Sequence, residues 1–271
     1  MGKLDYRIGV IGVGNMGSAL VSGLAISKKI DRKKIFIFDK NTTQASNIAK
    51  KNKINKVDSI EELFKSSDIV ILAVKPDILR QIFFEIKGYI KNHIIVSVAA
   101  GITINEISHN LGANKKIVRV MPNICGLVFE SMSGISFNNN IDEKDLNLVG
   151  TIFDCIGKTI IIEEKDMDAV VGISGSSPAF IFQIIEAMSD AGVKAGLSRD
   201  NAIFMAAQSV LGAAKMVLDT KWHPAQLKDL VTSPAGTTIE GVFEMEKYNV
   251  RAGIMSAITQ AVEKSKNISK K

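Results

Sequence analysis

The 271-residue sequence is poor in the residues that most often announce chemistry. It has two cysteines, Cys125 and Cys155, and three scattered histidines, His93, His109 and His223. Neither set has metal-ligand spacing, so no protein-held metal is expected. Two free thiols in the core fit a reducing, cytoplasmic compartment. Aromatic residues make up only 6% of the chain, and the net charge of +6 comes from lysines spread along it. Without a basic block interleaved with aromatics, no nucleic-acid partner is expected. A diffuse positive field also suits small anions such as dinucleotides and carboxylates. The longest clean apolar run, Ile69–Val74, is strand-sized, well short of the roughly 18 residues of a membrane helix. No membrane span is expected, nor a signal peptide, because the first apolar segment runs straight into a glycine turn.

What the sequence does have is alternation. Short β-rich runs occur at Arg7–Ile11, Ile35–Phe38, Ile69–Val74, Ile94–Val98 and Ile117–Met121, with later ones at Gly134–Phe137 and Thr159–Ile162. Helical patterns fall between them at 16–28, 42–52, 60–66, 77–87 and 103–111. Near-continuous apolar strands separated by helices predict a parallel sheet covered on both faces. From Asp166 to Lys266 the spacing is helical throughout, and Ser177-Pro178 has the form of a helix start, an N-cap serine before proline. The chain is therefore expected to be α/β, an N-terminal Rossmann-type doubly wound sheet over 1–164 followed by an all-α C-terminal domain over 165–271. The lysine-rich tail (Lys264, Lys266, Lys270, Lys271) is expected to fray.

Gly12-Val-Gly14-Asn15-Met16-Gly17 follows the first strand and opens the first helix. In a dinucleotide site the first glycine makes the turn, the second lets backbone approach a pyrophosphate, and the third lets helix and strand pack closely. The phosphates would sit on the free N–H groups of the helix N-terminus. Asp39 ends the second strand, where a carboxylate usually accepts from ribose hydroxyls and favours NAD. Yet Lys40, Asn41, Thr42 and Thr43 follow at once and could hold a 2′-phosphate. Ala73-Val74-Lys75-Pro76 and Ala99-Ala100-Gly101 lie at carboxyl ends of strands, where open α/β sheets bind ligands. Their small residues would let the nicotinamide half lie close against backbone.

The five prolines each mark a short motif. The most informative is Ser233-Pro-Ala-Gly236-Thr237-Thr238, which leads into an apolar helical pattern. Its free N–H groups and hydroxyls make a carboxylate site; ordinary helix capping by serine or threonine is the alternative.

Taken in order, these motifs resemble the pyrroline-5-carboxylate reductases over essentially the whole chain. The resembling stretches are Ile8–Gly17, Ala73–Pro76, Val96–Gly101, Ile117–Asn123, Val171–Ala179, Gly192–Gly196, Leu211–Val217 and His223–Glu240. The most specific are Gly172-Ile-Ser-Gly-Ser-Ser-Pro-Ala179 and the run from His223 to Thr238. The resemblance implies reduction of 1-pyrroline-5-carboxylate to proline by hydride transfer, with NADPH preferred and NADH the alternative. It implies a homodimer or larger oligomer built through the helical domain. It also implies that Ser233, Gly236 and the N–H groups of Thr237 and Thr238 hold the substrate carboxylate. Thr238 would donate a hydrogen bond to the ring nitrogen. Met121, Pro122 and Asn123 would line the cofactor side, with Met121 reaching the substrate. Ala235 departs from the family, where a second glycine is common; alanine suits the turn only if its φ is negative. Two other enzyme classes compete: a reductase of a related cyclic imine, which keeps every motif, and a hydroxyacid-dehydrogenase-like enzyme. The second needs a lysine after the glycine turn, and none occurs between Lys165 and Lys194.

Overall fold

The computed structural model describes residues 5–269. Eight strands form one sheet: β1 (Ile8–Ile11), β2 (Ile35–Phe38), β3 (Asn55–Lys56), β4 (Ile69–Leu72), β5 (Ile94–Ser97), β6 (Lys116–Met121), β7 (Ser131–Phe137) and β8 (Gly157–Ile161). Their spatial order is β3-β2-β1-β4-β5-β6-β7-β8. The helices of this region are α1 (Asn15–Ser27), α2 (Thr42–Asn52), α3 (Ile60–Lys65), α4 (Pro76–Lys87), α5 (Ile104–Leu111), α6 (Glu143–Phe153) and α7 (Met167–Val170).

The strands pair in parallel from β3 through β6, as a doubly wound sheet requires. The all-parallel expectation fails at the next step, because β6 and β7 are antiparallel. The cause is chain length. Only a short 3-10 turn, Ile124–Val128, joins them, and a parallel crossover needs a dozen or more residues. The connection from β7 to β8 contains α6, so that pair is parallel again. Strand β3 was not expected, being two polar residues long.

Side-chain alternation along the strands builds two cores. Ile8, Val10, Ile35, Ile37, Ile69 and Ile71 face α1, α2 and α6. Ile11, Val70, Leu72, Ile95 and Ile117 face α3, α4 and α5. Successive residues of one strand thus serve opposite faces, and a strand buried on both sides needs the unbroken apolar runs that the sequence carries.

The remaining helices are α8 (Ser177–Lys194), α9 (Arg199–Thr220), α10 (Pro224–Val231), α11 (Thr237–Lys247) and α12 (Val250–Ser269). Two compact units result: one runs up to Ser176 and takes in the chain from Ala261 on, and the other is Ser177–Gln260. Ser177-Pro178 does not open a helix, as its form suggested. It continues a helical run that starts before it, through a π-helical segment at Val171–Ser176. Lys264 and Lys266 are helical rather than frayed, within α12, and Lys270 and Lys271 lie outside the described residues.

The helical unit buries little by itself. Its buried residues are Ser189, Ala202, Ala206 and Leu227. Phe204 is 71% exposed and Leu218 75%, with Phe182 and Phe243 open as well. Two helical stretches, 164–194 and 199–220, are long and apolar enough by length and composition to cross a membrane.

Candidate active site

The glycine loop has the geometry its spacing predicts. Gly12 has φ +95°, a left-handed conformation open to glycine, and its N–H donates to the Phe38 carbonyl at 2.8 Å. A Cβ on Gly17 would stand 2.0 Å from the Gly12 carbonyl oxygen, so α1 can start against the turn only if that residue has no side chain. Gly14 is the N-cap of α1 with no side-chain cap, and open space lies where its Cβ would be. The first-turn N–H groups of α1 are therefore uncapped, and a ligand can reach them. This is a fit to a diphosphate.

A cleft of about 290 Å³ adjoins the loop, with Gly12, Gly14, Asp39, Lys40, Ala73 and Lys75 among its lining residues. Ile60, Ile78 and Ile82 give it an apolar floor. Lys75 is the N-cap of α4 and Pro76 its first residue, where proline's fixed φ and missing N–H cost nothing. Lys40 and Lys75 are exposed and make no ion pair among the described residues. Gly101, φ +76°, is buried beyond β5, and Ala100 beside it is exposed.

Asp39 has a job within the protein. One of its oxygens accepts the Val13 N–H at 2.8 Å and the other the Asn41 N–H at 2.8 Å. Gln44 Nε2 donates to the Val13 carbonyl at 2.7 Å, and Asn41 Oδ1 caps the Gln44 N–H. Glycine loop and β2–α2 loop are bound into one piece. Gln44 escaped the sequence reading, although Asn-x-x-Gln before a helix has the form of a capping box that would have singled it out.

At the carboxyl end of β6, Met121 is half-buried and Pro122 and Asn123 are buried. The Asn123 side chain is committed internally: Oδ1 accepts the Cys125 N–H, and Nδ2 donates to the carbonyl and the hydroxyl of Ser174. Cys155 is buried as expected, but Cys125 is only half-buried. Burial pushes both thiols up from their ordinary values, which disfavours the nucleophilic thiolate.

In the helical unit, the turn before α11 closes with the Gly236 N–H donating to the Ser233 carbonyl at 3.1 Å. Gly236 is the N-cap of α11 and supplies no side-chain cap. The hydroxyls of Ser233, Thr237 and Thr238 have no hydrogen-bond partner among the described residues, so capping does not occupy them. A Cβ on Gly236 would meet the Ser233 Oγ at 2.3 Å, so a larger residue there would turn the Ser233 hydroxyl out of its place in the turn. His223 is taken up as the N-cap of α10, its Nδ1 accepting the Ala225 N–H.

Ala235 has φ +55°, the condition under which alanine does not suit this turn. A left-handed alanine costs about 1 kcal/mol relative to glycine. Ala235→Gly is therefore expected to raise stability by about that much in urea denaturation, with an unchanged denaturant slope.

The comparisons with known proteins agree along the chain. A family model described as pyrroline-5-carboxylate reductase dimerisation matches residues 164–268, and one described as NADP oxidoreductase coenzyme F420-dependent matches 7–101. The pyrroline-5-carboxylate reductase of Escherichia coli (strain K12) is 40% identical over 268 residues, covering 98% of this chain and 100% of the relative. That of Methanosarcina acetivorans is 42% identical over 268 residues, 98% of this chain and 99% of the relative. The crystal structure of Plasmodium falciparum pyrroline carboxylate reductase with NADP bound superimposes with a TM-score of 0.87 at 36% identity, over 99% of this chain and 100% of that one. With relatives this similar over their whole lengths, and with the glycine loop and the Ser233–Thr238 turn both formed, the chain belongs to the pyrroline-5-carboxylate reductase family.

Proposed function

We propose that the chain reduces 1-pyrroline-5-carboxylate to L-proline with NADPH, NADH being the weaker alternative, and that it works in the cytoplasm. The observation that carries this reading is the turn before α11, where uncapped N–H groups stand beside the unengaged hydroxyls of Ser233, Thr237 and Thr238. A carboxylate fits there, taking N–H donors from the helix start, with Ser233 and Thr237 as further donors. Thr238 is half-buried and donates its hydroxyl proton in a hydrogen bond to the ring nitrogen.

The sheet domain holds the cofactor. Gly12, Gly14, Asn15, Met16 and Gly17 cradle the diphosphate, and Asp39, Lys40 and Asn41 meet the adenosine ribose. Ala73, Val74, Lys75, Pro76, Ala100 and Gly101 border the rest, whereas the Asn123 side chain, expected there, is spent on Ser174 and the Cys125 N–H. Lys40, exposed on the cleft and without an ion pair among the described residues, offers a cation to a 2′-phosphate, while Asp39 keeps its negative charge although each of its oxygens accepts a backbone N–H. When bound, the reduced nicotinamide supplies the hydride that the imine carbon accepts. The neutral imine nitrogen accepts the Thr238 hydrogen bond, and as hydride adds to the carbon the nitrogen takes a proton along that bond, which solvent restores to Thr238. The chain's own task is thus to position the ring and keep its nitrogen hydrogen-bonded. The domain division at 164/165 belongs to the same proposal, with cofactor binding before it and substrate binding and dimerisation after it.

Oligomerisation follows from the helical unit. Helices that leave Phe182, Phe204, Leu218 and Phe243 open need cover, and a second copy of the chain supplies it. Light scattering in detergent-free buffer is expected to give a dimer or larger assembly. A monomer, or a chain that stays in solution only with detergent, would contradict this.

The test of the substrate is ring size. Assayed side by side, the five-membered imino acid is expected to be reduced with a kcat/KM at least about tenfold above its six-membered homologue, since a misfitted methylene costs about 1–3 kcal/mol. The reverse order would favour the related-imine reading.

A further inference from the structure

Pro178 brings no N–H to the helix, so the carbonyl of Ser174, four residues earlier, lacks its ordinary α-helical donor. Asn123 supplies a donor. Its Nδ2 lies 3.1 Å from the Ser174 carbonyl oxygen and 3.2 Å from Ser174 Oγ. Ser174 Oγ in turn donates to the Met132 carbonyl at 2.8 Å. The rest of Asn123 is equally engaged: its N–H donates to Ser131 Oγ at 3.0 Å, and its Oδ1 accepts the Cys125 N–H at 3.1 Å. Asn123 is 9% exposed and Ser174 8%. Through its side chain and its own N–H, this one residue ties together the end of β6, the turn after it, the start of β7 and the π-helical segment Val171–Ser176.

Six residues of π-helix are uncommon, and such segments concentrate at functional sites. This one is held against the carboxyl end of β6, where a doubly wound sheet carries out its chemistry. Gly175 of the π-helical segment lies over Met121, a Cβ there coming within 3.3 Å of the methionine's terminal methyl.

We propose that Asn123 and Ser174 are positioning residues for hydride transfer. They fix the π-helical segment on β6 and so set the place of Met121 and Pro122 without either side chain touching a ligand. This rests on the reductase reading, and it changes how Asn123 serves the site, from cofactor contact to support.

The test compares the wild-type chain with Asn123→Ala and the milder Ser174→Ala, using NADPH and 1-pyrroline-5-carboxylate. kcat is expected to fall about ten- to hundredfold for Asn123→Ala, as misplacement of reacting groups by about 1 Å does, and less for Ser174→Ala. NADP⁺ affinity by calorimetry should stay within about twofold in both. The deuterium isotope effect on kcat, with cofactor labelled at the transferred hydrogen, should rise above the wild-type value as hydride transfer becomes limiting. The double variant should lose less than the product of the two single losses, because the side chains share a hydrogen bond, while Ser174 Oγ also holds the Met132 carbonyl on its own. Variants that keep wild-type kcat and isotope effect and only melt earlier would overturn the positioning role. A loss seated in NADP⁺ affinity would overturn it too, making Asn123 a cofactor contact. A wild-type chain that does not reduce the substrate would overturn the reductase reading, and this proposal with it. Should Asn123→Ala fail to fold, Ser174→Ala carries the same decision, since it removes one hydroxyl only.

Discussion

A Thr238→Ala chain is expected to bind NADP⁺ like the parent and to turn over about a hundred- to a thousandfold more slowly, the loss typical of removing one preorganised donor from a reacting centre. The expectation follows from where the hydroxyl stands. Thr238 is the second residue of α11, half-buried, behind an N-cap glycine that offers no side chain. Its hydroxyl has no partner among the described residues, so its removal breaks no internal hydrogen bond, and stability should change by less than about 1 kcal/mol. The loss should fall on kcat rather than on KM, because the carboxylate keeps its other donors at Ser233 and the helix start. Thr238→Ser retains the donor and should recover most of the rate. Full turnover by Thr238→Ala would remove this residue from the mechanism.

Gly17→Ala should do the opposite, sparing the substrate turn and destroying the cofactor site. The added methyl would stand 2.0 Å from the Gly12 carbonyl oxygen, a backbone atom with no freedom to retreat. Gly12 itself is held by its own N–H on Phe38 and by a left-handed φ that few other residues adopt. Helix α1 must shift away from the turn, and its uncapped N–H groups then no longer converge on the diphosphate. NADP⁺ affinity measured by calorimetry should fall by about a hundredfold or more, and overpacking should cost about 1–3 kcal/mol of stability. Gly14→Ala is the informative partner. Open space surrounds its Cβ, so it should leave stability nearly unchanged and weaken only the ligand, if the diphosphate approaches there.

Much of this could be read from the sequence because it depends on short-range rules. The apolar runs of β1, β4 and β5 can be satisfied only by burial on both faces, and Gly12, Gly14 and Gly17 have a spacing with one mechanical use. The reversal at β7 was missed because strand direction is set by the length of a connection. Residues 124–128 look like any loop until β7 is known to begin at Ser131. Ser177-Pro178 misled for a different reason. The pair has the local chemistry of a helix start, but tertiary contact from Asn123 to Ser174 lets the helix run through the proline. The role of Asp39 was hidden as well. A carboxylate at the end of β2 suggests a ribose contact, and only the folded loops bring the N–H groups of Val13 and Asn41 to its two oxygens. Ala235 was legible as a question, and its φ of +55° answers it.

Oxidation of reduced cofactor by the purified chain with 1-pyrroline-5-carboxylate, run with NADPH and NADH in parallel, tests the reductase activity most directly. Turnover with both, and a higher kcat/KM for NADPH, is the predicted result, because Lys40 lies exposed on the cofactor cleft and makes no ion pair among the described residues. No turnover with either cofactor, from folded chain that still binds NADP⁺, would contradict the account.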